Sequence, residues 1–80
     1  MTVEEAIRTS IEYETRVRDV YSEAAARTEH PDGQRFFQLM ADEEQGHIDY
    51  LGGRLEEWAE DGTITAEGLE TALPPRSAIA

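Results

Sequence analysis

Asp42-Glu43-Glu44-Gln45-Gly46-His47-Ile48-Asp49-Tyr50-Leu51 decides how this chain reads. Glu44 and His47 stand three apart, so on an α-helix their side chains leave one face a turn apart. Working outward, Phe36, Phe37, Met40, Glu44, His47, Ile48, Leu51, Leu55 and Trp58 recur at helical steps, and Asp61-Gly62 supplies a stop. The spacing predicts one amphipathic helix that begins near Pro31-Asp32, with Asp32 as its cap, and runs to about Ala59. Its inner stripe is interrupted midway by a carboxylate and an imidazole. Gly46, Gly52 and Gly53 each cost up to about 1 kcal/mol relative to Ala. They imply either a close backbone approach or a bend.

The preceding stretch has the same construction. Thr2 and Glu5 have capping-box spacing, and Val3, Ala6, Ile7, Ser10, Ile11, Glu14, Val17, Tyr21, Ala24, Ala25 and Thr28 form a stripe. A helix is expected from about residue 3 to 28, with one charged residue, Glu14, at the centre of the stripe. His30-Pro31-Asp32-Gly33 breaks the pattern, and His30 reads as a loop residue. A connection this short makes the helices antiparallel neighbours. Thr63 to Leu73 reads as a short third helix with Ile64, Leu69 and Leu73 as contacts, ended by Pro74-Pro75.

The expected fold class is therefore all-α. A helical hairpin occupies residues 1–62, a short C-terminal helix 63–73 and a flexible tail 74–80. Two helices side by side leave much of each stripe bare, and such patches mark interfaces. Two hairpins related by a two-fold axis would complete a four-helix bundle.

Composition narrows the chemistry. The 80 residues include 18 acidic and seven basic ones, a formal charge of −11, and no cysteine. Phosphate-backbone binding is disfavoured by that sign, and thiolate metal sites are excluded. No apolar run approaches the roughly 18 residues of a membrane span, and the start lacks signal-peptide character. The expectation is a cytoplasmic chain with no nucleic-acid or membrane partner.

Glu-x-x-His on one bundle helix and a Glu on its neighbour are metal-ligand spacing. One hairpin offers Glu14, Glu44 and His47; a symmetric pair offers four carboxylates and two imidazoles, enough for two ions. Oxygen-rich ligation suits iron or manganese, although zinc and cobalt bind such sets too. Competing readings pair Glu14 with Arg18 one turn on, or make His47 a hydrogen-bonded core histidine. Asp42 and Asp49 are candidates for lining a cation route.

The stretches Ile11-Glu12-Tyr13-Glu14, Tyr21-Ser22-Glu23-Ala24-Ala25 and Phe36-Phe37-Gln38-Leu39-Met40-Ala41-Asp42-Glu43-Glu44-Gln45-Gly46-His47-Ile48 resemble the ferritin-like superfamily, specifically rubrerythrin-like proteins. The resemblance implies iron ligation and catalysis by Glu14, Glu44 and His47, with Tyr21 as hydrogen-bond donor to a ligating carboxylate. Full-size members carry two helix pairs per chain, so this chain looks like a half-ferritin, and the class it is most similar to is the encapsulated ferritins.

That class implies a homodimer or ring of dimers inside an encapsulin nanocompartment. A di-iron ferroxidase site shared by two subunits would oxidise Fe(II) with O2 or peroxide for storage or detoxification. Tyr13 and Arg16 stand where that class has further acidic residues, so its secondary metal site is not expected. The alternatives are a rubrerythrin-like peroxide reductase with an external electron donor, and a non-catalytic helical dimerisation module.

Overall fold

The computed structural model describes residues 1–65, which form an antiparallel hairpin of α1 (Val3–Arg27) and α2 (Pro31–Asp61). Its longest dimension, 47 Å, is close to the length of α2 at about 1.5 Å per residue. Among the described residues no helix is long and apolar enough to cross a membrane.

The caps explain where the helices start and stop. Glu5 N–H donates to Thr2 Oγ1 at 3.0 Å, and Thr2 N–H donates to Glu5 Oε1 at 3.2 Å, completing the expected capping box. The chain leaves α1 at Thr28, whose N–H donates to Ala24 O at 3.0 Å. At the start of α2 the cap is His30, not Asp32: His30 Nδ1 accepts from Asp32 N–H at 3.2 Å. Pro31 causes this, because the residue before a proline is forced extended, which is the conformation a cap needs, while proline suits the first helical position. Asp32 sits in the first turn, where its charge suits the helix dipole, and pairs with Arg35 at 3.2 Å.

Gly33 lies close against Thr28, where a Cβ would meet Thr28 Oγ1 at 3.1 Å. α2 then runs unbroken through Gly46, Gly52 and Gly53. A Cβ at any of the three meets nothing within 4 Å, so no contact within the hairpin calls for them. Gly62 ends the helix in the left-handed region at φ 69°, its N–H donating to Trp58 O at 2.9 Å.

Beyond Gly62 the chain doubles back along the last turns of α2. Thr65 N–H donates to Glu57 Oε1 and Thr65 O accepts from Arg54 Nη1 at 3.2 Å. Arg54 also pairs with Glu57 at 3.7 Å and lies 5.0 Å from the centre of the Tyr50 ring. Residues 63–65 are not helical, and the rest of the expected 63–73 helix and 74–80 tail lies outside the described residues.

Side-chain packing between the helices is thin. Tyr21 stacks on Phe37 with centroids 6.4 Å apart, and Phe36 meets Phe37 edge-on at 5.3 Å. Ala41, absent from the expected stripe, is the one buried hydrophobic residue among those described. Phe36, expected on the inner stripe, is 54% exposed; Tyr13, Val20 and Leu39 are exposed as well.

These four share a side. At about 100° per residue, Tyr13 and Val20 lie roughly 100–120° round α1 from Glu14, and Phe36 and Leu39 roughly 80–140° round α2 from Glu44, in the same rotational sense. In an antiparallel pair, equal rotation from facing positions falls on one side of the hairpin. His47 turns the same way from Glu44. The hairpin thus has an apolar open face.

Candidate metal centre

The centre is built at mid-length, where α1 carries Glu14 and α2 carries Glu44 and His47 one turn apart. His47 Nδ1 stands 3.6 Å from Glu14 Oε2 and 3.4 Å from Glu44 Oε2. One ligand atom from each of the three residues falls within 4.8 Å of the others. All three side chains are partly buried. The structure therefore brings together the three residues that the sequence selected.

These separations exceed the usual 2.7–3.2 Å of an N–H···O bond. They approach what a shared ion gives: two ligands each about 2.1 Å from one metal stand roughly 3.0–3.4 Å apart at octahedral or tetrahedral angles. The donor chemistry agrees. Glu44 Oε2 is a buried side-chain atom with no hydrogen-bond partner, a costly condition that a bound cation relieves. His47 Nε2 is buried and unpartnered too, but Nδ1 is the ring nitrogen beside the two carboxylates. The Glu14/Glu44/His47 group is a carboxylate–imidazole set that can hold a metal ion.

Electrostatics point the same way. The Glu44 carboxyl is raised above its ordinary value, first by the facing Glu14 carboxyl, which favours the protonated form, then by burial and by the Glu14 charge. His47 beside it offsets this only in part, by favouring the ionised form. Two carboxylates in so small a space repel until a proton or a cation comes between them.

Arg18 does not neutralise Glu14. Its Nε and Nη2 donate to Asp19 Oδ1 at 3.2 and 2.9 Å, and its Nη1 reaches across the hairpin to Gln45 Oε1 at 2.7 Å. Gln45 Nε2 in turn donates to Asp49 Oδ1 at 2.9 Å. Gln45 was not singled out in the sequence; its position beside Glu44 was the available signal. Asp42 accepts from Gln38 at 3.0 Å, and Asp42 and Asp49 each lie roughly 140–160° round α2 from Glu44. Neither lines the centre. Tyr21 is held by its stack on Phe37, about two turns along α1 from Glu14.

No protein-family model matches the chain, and no curated protein and no solved structure matches it. The functional reading therefore rests on the geometry and on the residue pattern around Glu14, Glu44 and His47.

Proposed function

We propose that this protein is a ferroxidase whose di-iron centre forms between two copies of the hairpin. The observation that carries the reading is the convergence of Glu14, Glu44 and His47, with Glu44 Oε2 buried and unpartnered. One hairpin supplies three side chains; two supply four carboxylates and two imidazoles, which suits a pair of Fe(II) ions as substrate. The ligand charge favours Fe(III) over Fe(II). O2 or peroxide takes the electrons, and the oxidised iron passes to a mineral store.

Pairing is supported by the open face. Tyr13, Val20, Phe36 and Leu39 are exposed on the side toward which His47 turns, and Ala41 alone is buried among the described hydrophobic residues. An exposed apolar face beside an incomplete ligand set is what a half-bundle presents. The hairpin has no enclosed volume for mineral, so storage falls to a separate shell, in keeping with the resemblance to encapsulated ferritins. Tyr21 belongs to this proposal as a hydrogen-bond donor to a ligating carboxylate of the assembled bundle.

The test is anaerobic Fe(II) titration of the metal-free protein while following oligomer mass, then admission of air and recording of Fe(III) absorbance. The expected result is saturation near one iron per chain, followed by fast oxidation that is lost in Glu44→Ala and His47→Ala. Equal iron binding by the variants and the parent protein, with an unchanged dimer, would instead make the chain a dimerisation module.

A further inference from the structure

Glu14 and Arg18 stand four residues apart on α1, in the order that most favours an ion pair across one helical turn. Yet no such pair forms. Three of the Arg18 guanidinium's five N–H groups are directed elsewhere, two to Asp19 Oδ1 and one to Gln45 Oε1. Gln45 is itself oriented by the hydrogen bond that its Nε2 donates to Asp49 Oδ1, which leaves its oxygen facing Arg18. The Arg18–Gln45 bond is the part-buried link of this chain and joins α1 to α2.

We propose that Asp19, Gln45 and Asp49 hold Arg18 away from Glu14, so that an incoming metal ion meets two carboxylates with no fixed cation between them. The inference rests on the metal-binding reading above and adds a specificity for what may neutralise the site. A guanidinium is always charged and pairs with carboxylates by two parallel bonds. Seated on Glu14, it would satisfy the charge that the metal is meant to satisfy, and every ion would have to displace it. An Asp19 pair alone is exposed and weak. The bond to Gln45, 2.7 Å long and bridging the helices, is what makes the diversion persist. Asp19, Gln45 and Asp49 are positioning residues: they act on the metal through the placement of Arg18.

The probe is Co(II), titrated into the full chain by calorimetry and by its visible absorption, which reports ligand geometry. Asp19→Ala/Gln45→Ala frees Arg18, and its Co(II) affinity is expected to fall about ten- to a hundredfold, the range found when residues that orient metal ligands are removed. Adding Arg18→Ala to that pair restores affinity and the absorption spectrum, because the released cation is then gone. Arg18→Ala alone leaves affinity near that of the parent protein, since Arg18 is already held off.

Unchanged affinity in the double variant overturns the proposal while leaving the metal site standing. A triple variant as weak as the double also overturns it, since the loss is then structural. An equal gain from Arg18→Ala in both backgrounds does so too, assigning the effect to net charge. Failure of the parent protein to bind Co(II) at all overturns this proposal and the metal-binding reading together.

Discussion

His47 Nδ1 stands 3.6 Å from Glu14 Oε2, a contact made across the hairpin between the middles of its two helices. Together with the 3.4 Å contact to Glu44 one turn away, it makes the centre a property of both helices at once. Metal bound there would consequently be linked to folding. A divalent metal at about a hundred times its dissociation constant is expected to stabilise the protein by about 2.7 kcal/mol. Glu14→Ala or His47→Ala should abolish most of that gain, read as the metal-induced rise in unfolding temperature. A rise of equal size in either variant would count against this centre.

Without metal, Glu44 works against the fold at neutral pH. Its folded value is raised above the ordinary 4.5, so the native state binds the proton more tightly than the unfolded chain. That contribution to stability is complete below about 4.5 and is lost as pH rises through the raised value. Glu44→Gln keeps the shape and discards the charge. The metal-free variant should be more stable than the parent protein near pH 7, with the difference closing as the pH falls below 4.5, in urea unfolding across that range. Equal stability of the two near neutrality would argue that Glu44 is not strained.

The exposed face gives a second kind of prediction. Phe36 is 54% exposed and touches Phe37 edge-on, so Phe36→Glu should cost a lone hairpin about 0.5–1.5 kcal/mol, the worth of that ring contact. If the open face pairs two copies, the same substitution should yield monomers by sedimentation, with only the helical content that the parent protein keeps at high dilution. An unchanged assembly would place the interface elsewhere.

The glycines of α2 separate by their surroundings. Gly62 holds φ at 69°, and Gly62→Ala should cost about 1–2 kcal/mol for placing a Cβ in the left-handed region. Gly53 has open space around its Cβ position, and Gly53→Ala should stabilise the isolated hairpin by up to about 1 kcal/mol. Thermal unfolding of both variants in dilute solution checks the contrast. Destabilisation by Gly53→Ala would reveal a neighbour at that position.

The hairpin was legible in the sequence because its signals are local. The Thr2/Glu5 box, the 3.6-residue stripes, Pro31 and Gly62 each act within a turn of where they stand. The clustering of the candidate site was legible for a related reason: Glu14, Glu44 and His47 are ionisable residues inside apolar stripes, and helical geometry alone aligns them. What escaped depended on competition between partners. Arg18 lies one turn from Glu14, and spacing cannot reveal that Asp19 and Gln45 take its hydrogens first. The choice of His30 over Asp32 as cap was likewise a contest, decided by the conformation Pro31 imposes on its predecessor. Phe36 fits the stripe by period, yet a lone pair of helices is too narrow to cover the stripe's edge.

Ala41, with a single methyl group as its side chain, is the one hydrophobic residue that the described hairpin takes fully out of water, while Ile11, Val17, Phe37, Ile48 and Leu55 are only half-buried. Part of the free energy that ordinarily holds a small domain together is therefore left unrealised in one copy. If two copies pair through the open face, the folded fraction of the chain depends on protein concentration. Dilution should act on it as denaturant acts on other proteins, and a newly made copy should be vulnerable to proteolysis until it meets another.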